Sequence, residues 1–204
     1  MNFDAAYAGS PPWDIGRPQP TFLRLAESGE LRGKILDVGC GTGEHALMAA
    51  AMGLDAVGVD SSPRAIELAR GKAEARTFGA RFVVGDALDL PALGELFDTV
   101  LDSGLFHLFD DGERARYVES LRAAMAPEGR YFMLCFNDRV PGDLGPRRVS
   151  RHEIRRSFAP EDGWEVLSIE AATMDVTFTP AGIPAWLSAI ARRAPLADQM
   201  AGAG

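Results

Sequence analysis

Residues 36–45, Leu-Asp-Val-Gly-Cys-Gly-Thr-Gly-Glu-His, constrain this chain more than any other stretch. The run over 34–39 is mostly apolar and reads as a strand, and 44–53, EHALMAAAMG, is helix-forming and closes at a glycine. Between them Gly39, Gly41 and Gly43 let the backbone approach a ligand where a Cβ would collide. Strand, glycine turn and helix open a βα unit, and the pattern repeats. A strand over 54–60 leads through Ser62, an N-cap, and Pro63, at the first helical position, into a helix over 64–76. Strands follow at 80–86 and 97–104, then a helix over 111–125 and a fifth strand over 129–138. A short helix precedes the series at 20–30, with Phe22, Leu25 and Ala26 on one face and Gly29 as its stop. Alternating strands and helices predict an α/β fold, a Rossmann-like doubly wound parallel sheet with right-handed crossovers and helices on both faces.

The two ends depart from that alternation. Residues 163–178 can form one long strand, and 185–193 fits strand or helix; a strand is expected there because a hairpin would seal the sheet edge. At the other end, PPWDIGRPQP (11–20) carries four prolines and a tryptophan and predicts a stiff, irregular arm. Such an arm has little helical or sheet bonding of its own, so ordering on ligand binding is expected. The organisation expected is an arm over 1–20, one domain over 21–197 and a disordered tail over 198–204. A formal charge of -8 argues against a protein that tracks nucleic-acid phosphates and favours a small-molecule partner. Cys40 and Cys135 sit in apolar runs and read as free thiols, and no window approaches the roughly 18 apolar residues of a membrane span. A soluble cytoplasmic protein, away from membranes, is expected.

Dinucleotide folds use G-x-G-x-x-G, whereas the pattern here is G-x-G-x-G followed by Glu44, a carboxylate that repels phosphate and suits a ligand bearing an ammonium group. Asp60 ends the second strand, followed by Ser61, where an acid can accept both hydroxyls of a ribose. Gly85-Asp86-Ala87 ends the third strand, where a carboxylate or backbone group meets the exocyclic amine of an adenine. Adenosine without phosphates is the implied ligand. Each acid has a structural alternative: Asp86 as the cap of a following turn, Asp60 as the cap of the helix starting at 61–63.

With these residues the sequence resembles the class I S-adenosylmethionine-dependent methyltransferases across nearly its whole length. Asp37, Gly39, Gly41 and Gly43 match that family's glycine motif, Asp60 its ribose-binding acid, Asp86 its adenine-contacting acid, and Asp102-Ser103 its fourth-strand end. The resemblance implies a seven-stranded sheet with an antiparallel last strand, S-adenosyl-L-methionine as cofactor and S-adenosyl-L-homocysteine as product. The segment 12–20 is similar to the N-terminal segment of the thiopurine, halide and heterocycle methyltransferases. The resemblance implies that the arm closes over the cofactor, with Trp13 over its methionine end. A loop at 141–154 is also similar, although Arg147 and Arg148 replace the usual apolar and aromatic residues.

Ligands of open α/β sheets bind beyond the carboxyl ends of the strands, which places an acceptor near 103–108, 136–148 and the arm. Tyr7, Trp13, Phe106, His107, Phe109 and Phe136 make that set aromatic and suit a flat heterocycle, the alternative being ordinary core packing. His107 is the expected base or positioning residue, or else a hydrogen-bonded wall. Asp102, Asn137 and Arg148 are weaker candidates: support of a loop, a chain turn, and either a solvated charge or a hold on an anionic acceptor. His45, His107 and His152 are scattered without metal-ligand spacing, and no G-x-S-x-G elbow points to a hydrolase. The function expected is methyl transfer to an O, N or S atom of a small aromatic or heterocyclic molecule. A nicotinamide oxidoreductase and a non-enzymatic cofactor-binding module are the rivals, the former disfavoured by Glu44 standing where a third glycine would be.

Overall fold

A computed structural model describes residues 3–142 and 145–194. The central sheet has seven strands in the order β3-β2-β1-β4-β5-β7-β6. Strands β1 (Ile35–Val38), β2 (Ala56–Asp60), β3 (Arg81–Val84), β4 (Phe97–Ser103) and β5 (Met125–Phe136) run parallel, while β7 (Thr179–Arg192) is antiparallel to both β5 and β6 (Trp164–Val176). Strand order reverses between β1 and β4, so a crevice opens beyond their carboxyl ends, where ligands of such sheets bind.

Each strand divides its side chains between two cores, because successive residues point to opposite faces. Leu36, Val38, Val100, Tyr131 and Met133 pack with Tyr117 and Leu121 of α5 (Asp111–Ala124) and Ile154 of α6 (Arg151–Ser157). On the other face Ile35, Leu101, Phe132 and Leu134 pack with α2 (Pro20–Glu27), α3 (Glu44–Ala51) and α4 (Pro63–Arg76) through Phe22, Leu47 and Ile66. Helix starts follow the sequence closely. Ser62 Oγ accepts from the Ala65 amide at 3.1 Å with Pro63 behind it, and Asp110 forms a capping box with Glu113.

The region 185–193, ambiguous in periodicity, is strand: Tyr131 to Phe136 pair with Ile190 to Ala185, and Trp164 to Val176 pair along the other side of β7. Two helices were not anticipated. α1 (Phe3–Ala6) lies inside the arm, and α6 begins within the loop expected over 141–154. The start of α6 is encoded by Ser150 and Glu153, a reciprocal capping box over four residues. The expected tail at 198–204 lies outside the described residues. Among the described residues no helix is long and apolar enough to cross a membrane.

Candidate active site

The turn after β1 divides its glycines between two tasks. Gly41 has φ 52°, and a Cβ there would stand 2.5 Å from the Tyr7 hydroxyl, so this position faces the crevice and the arm. Gly43 has φ 86°, but a Cβ there would collide at 2.6 Å with the Phe82 ring of β3, which corrects the expectation that it admits a ligand; its role is packing. Gly39 lies against Leu105 and lines the crevice. Asp60 crosses the mouth of the turn: its Oδ2 accepts from the Gly41 amide and its Oδ1 from the Ser62 amide, both at 2.9 Å. Burial raises its pKa against the pull of those amides. Each oxygen keeps a lone pair, so a ribose diol fits the acid as the chemistry requires. Ser61 is exposed beside it.

Two acids of the motif are committed elsewhere. Asp37 is buried; its Oδ2 accepts from the Ala46 amide at 3.1 Å and its Oδ1 lies 3.6 Å from His45 Nδ1, so it ties α3 to β1 instead of facing a ligand. Glu44 is not open to a ligand ammonium. Lys72 Nζ donates to it at 2.8 Å and Arg76 grips it bidentately at 2.8 and 3.0 Å, holding its carboxyl below the usual range despite burial.

At the end of β3 the Gly85 amide donates to the Asp60 carbonyl at 3.0 Å, which fixes the two strand ends relative to each other. Asp86 is exposed and accepts from the Leu88 amide at 2.9 Å, capping the 3₁₀ turn Ala87–Leu93. A cap keeps lone pairs free, so this bond is compatible with a ligand contact. Asp102 is different. It is fully buried, accepts from Tyr131 Oη at 2.7 Å and Tyr117 Oη at 2.9 Å, and holds the amides of Leu105 and Phe106 at 2.8 and 3.2 Å. Burial outweighs these donors and raises its pKa to about 6. Asp102 supports the loop after β4, and Ser103 beside it lines the crevice.

The acceptor side departs furthest from expectation. Phe106 is wholly buried, packed on Phe158 with the Arg114 guanidinium 4.6 Å from its ring centroid, so it belongs to the core. Phe109 packs on Tyr117. His107 is buried, and its Nδ1 accepts from the Phe136 amide at 2.9 Å, which leaves the proton of the neutral ring on Nε2. Burial, with Arg114 and Arg148 adding repulsion, pushes its pKa down to about 3. A ring so placed donates from Nε2 and has no lone pair for an acceptor proton, which removes it as the base. The Phe136 ring meets it at a tilt of 57° with centroids 4.6 Å apart and is half-buried. Asn137 is buried in the chain turn, donating to the Ala185 carbonyl and accepting from the Arg139 amide. Arg148 donates to the carbonyls of Val140, Pro146 and Pro141, so its guanidinium braces its own loop instead of standing solvated or holding an anion.

The arm is docked. Trp13 Nε1 donates to Tyr7 Oη at 3.0 Å, and Trp13 meets Phe3 and Tyr7 edge-on while remaining 37% exposed. The Thr177 amide donates to the Pro12 carbonyl at 2.9 Å, Thr42 Oγ1 bonds Asp14 at 3.0 Å, and Arg17 pairs with Asp175 at 2.6 Å. Gln19 exchanges two bonds with the Asp175 backbone at 2.9 and 2.8 Å. The expectation of an arm with little to hold it is therefore corrected: its bonds go to distant residues that periodicity does not reveal. Asp14, Gln19, His45, Met174 and Asp175 were missed as parts of this region, and only the position of His45 next to the motif hinted at it.

Arm and turn enclose about 60 Å³, bordered by Tyr7, Trp13, Ile15, Gly41, Ser103 and Met174. Small-molecule sites span about 300–1,000 Å³, so a nucleoside-sized ligand requires the arm side chains to shift. A larger cleft of about 760 Å³ runs between α5, α6 and the end of β7. It lies away from the glycine turn and the carboxyl ends of β1 to β4, and its lining includes the ion pairs of Arg122 with Glu119 and of Arg147 with Asp111 and Glu153.

A family model described as a methyltransferase domain matches residues 35–129. A 2-heptyl-1-hydroxyquinolin-4(1H)-one methyltransferase of Mycobacteroides abscessus is 39% identical over 183 residues, covering 84% of this chain and 80% of that protein. A probable thiol methyltransferase 2 of Arabidopsis thaliana is 33% identical, covering 79% of this chain and 72% of its own. A solved structure from work on conversion of a disulfide bond into a thioacetal group during echinomycin biosynthesis is 37% identical with a TM-score of 0.86, covering 98% of this chain and 95% of its own. The sheet order, the glycine turn closed by Asp60 and these relatives together show that the chain belongs to the class I S-adenosylmethionine-dependent methyltransferases.

Proposed function

We propose that the chain methylates an O or S atom of a small aromatic or heterocyclic molecule that reaches the site already nucleophilic, as a thiolate or an acidic hydroxyl in its ionised form. The observation that carries this is the state of the two histidines at this end of the sheet. His107 spends its Nδ1 lone pair on the Phe136 amide, and His45 spends its Nε2 lone pair on the Gln19 amide at 3.1 Å. Neither has one to offer an acceptor. The third, His152, is exposed on α6.

When bound, S-adenosyl-L-methionine supplies a methyl group on a sulfonium, whose C–S electron pair stays with sulfur as the new bond forms; an anionic acceptor therefore leaves no proton to remove. The chain has the tasks of binding, alignment and exclusion of water. Asp60 would accept hydrogen bonds from the ribose hydroxyls, the Gly41 backbone would leave room beside it, Ser103 and Gly85 to Ala87 would border the adenosine, and Tyr7 and Trp13 would cover the reacting end. Trp13, Tyr7 and Phe136 offer ring faces to a flat acceptor. The relatives that act on a hydroxyquinolinone and, by name, on thiols support the same substrate class. A net charge of -8 supports a small acceptor over a nucleic acid, and the unpaired buried thiols of Cys40 and Cys135 support a cytoplasmic setting.

The test is transfer of labelled methyl from S-adenosyl-L-methionine to a panel of heteroaromatic thiols, N-hydroxy compounds, phenols and amines. Turnover concentrated among the acidic thiols and N-hydroxy compounds is expected. Turnover confined to neutral amines would overturn the proposal.

A further inference from the structure

We propose that His45 is a positioning residue for methyl transfer: it latches the N-terminal arm, through Gln19, to the strand that carries the glycine motif. The proposal rests on the reading that Tyr7 and Trp13 of the arm cover the site.

His45 follows the motif by two residues and lies on the first turn of α3. Its side chain is nearly buried, and Phe22 of α2 meets its ring edge-on with centroids 4.9 Å apart. The Gln19 amide donates to Nε2 at 3.1 Å. The lone pair therefore sits on Nε2, and the proton of the neutral ring sits on Nδ1, 3.6 Å from Asp37 Oδ1. Asp37 is in turn fixed by the Ala46 amide. Glu44, the other acid next to His45, is occupied by Lys72 and Arg76.

Gln19 is buried and works in both directions. Its backbone reaches His45, and its side chain exchanges two hydrogen bonds with the Asp175 backbone at the end of β6. One residue of the arm thus joins β1 and α3, beneath the glycine turn, to β6 across the crevice. Asp14, five residues earlier, is held by Thr42 of the same turn, whose hydroxyl also receives Lys72 Nζ at 2.6 Å. The turn that cradles a ligand is also what the arm is tied to. Loss of the His45 acceptor strands a buried amide at the root of the arm, and an unmade bond of that kind is costly. A shift at Gln19 propagates to Ile15, Trp13 and Tyr7 because Pro18 and Pro20 flank it and leave little freedom to absorb the change.

His45→Leu removes the acceptor, and His45→Gln places an amide oxygen near the Nε2 position. In cofactor-free protein, amide exchange over 12–19 is expected to accelerate about 10-fold or more in His45→Leu and to return towards wild type in His45→Gln. S-adenosylmethionine affinity measured by calorimetry is expected to fall about 10-fold in His45→Leu. It should fall little further when Trp13→Ala is added, because both act through the arm. If His45→Leu fails to fold, Gln19→Pro, which leaves His45 in place but removes the backbone amide that bonds it, at a φ of -59° that suits proline, is expected to show the same exchange and affinity changes. Unchanged arm exchange and affinity in the folded variant would overturn the latch, as would losses that multiply with Trp13→Ala or a His45→Gln protein no better than His45→Leu. Trp13→Ala without any effect on affinity or turnover would instead overturn the underlying assignment of the arm, and the latch with it.

Discussion

The two ends of the crevice contrast sharply. At the β1–β2 end, Gly41, Asp60 and the Gly85 backbone stand together as strand-end residues of neighbouring parallel strands, joined by bonds of 2.9 and 3.0 Å. At the β4–β5 end, most of the residues that looked chemical are holding the protein together: Phe106 in the core, Asp102 under two tyrosine hydroxyls, Asn137 in a turn and Arg148 in its own loop. A site made by backbone geometry at the ends of adjacent strands is written in short-range spacing. A site made by side chains on loops depends on which neighbours claim each polar atom, and that is settled by packing over long separations.

The largest effect that can test this contrast is at Asp102. Asp102→Ala leaves two tyrosine hydroxyls and two amides without an acceptor, so denaturant unfolding is expected to show a loss of about 3–6 kcal/mol. Asp102→Asn, which keeps an acceptor oxygen, should lose less. A folded, fully stable Asp102→Ala protein with reduced cofactor affinity would return this residue to the ligand site.

Asp60→Ala comes next. Losing charge-assisted bonds to a ribose is expected to cost about 1.5–3 kcal/mol of cofactor binding, or about 10- to 150-fold in affinity. Unchanged affinity by calorimetry would erase the distinction between the two ends.

His107 sharpens the contrast through pH. Its pKa is lowered from 6.5 to about 3 in the folded protein, so below pH 6.5 the unfolded chain binds a proton that the folded chain refuses. The stability contributed by the neutral ring is present above pH 6.5 and is lost as pH falls towards 3. His107→Asn keeps an oxygen for the Phe136 amide and does not titrate. Relative to wild type it is expected to gain stability on acidification by up to about 1.4 kcal/mol per pH unit. Parallel stability–pH curves would show that His107 is charged or exposed. Asp102, with its pKa raised to about 6, acts in the opposite direction. Its contribution is full below its unfolded value and fades as pH rises through 6, and the comparison with wild type cancels it.

The smallest effect is at Asp86. Removing its cap in Asp86→Ala should cost about 0.5–2 kcal/mol of stability. Asp86→Asn keeps the cap, so any loss of cofactor affinity in that variant reports a ligand contact alone.

What was legible in the sequence follows the same division. Ser62 with Pro63 and the hydrophobic runs of β1 to β5 announce themselves locally, and the β6–β7 hairpin followed from the need to close an edge. The capping box of Ser150 and Glu153 is equally local, but the loop implied by resemblance over 141–154 runs across it. Gln19 and Asp175 were not legible at all: they are 156 residues apart, and each pairs through the other's backbone or through an amide group that carries no pattern. Glu44 misled for a related reason. Its partners Lys72 and Arg76 stand 28 and 32 residues away, on another helix.

The central claim, that the acceptor provides its own nucleophile because neither histidine of the site has a free lone pair, is tested most directly by the pH dependence of kcat/KM for one thiol and one phenol on a shared aromatic scaffold. Each profile is predicted to rise with pH and level off at the acceptor's own ionisation, so the thiol's inflection falls well below the phenol's, by more than the roughly 1.5 pH units that separate an alkyl thiol from a phenol. A common inflection for both acceptors, set by a group of the protein, would contradict the account.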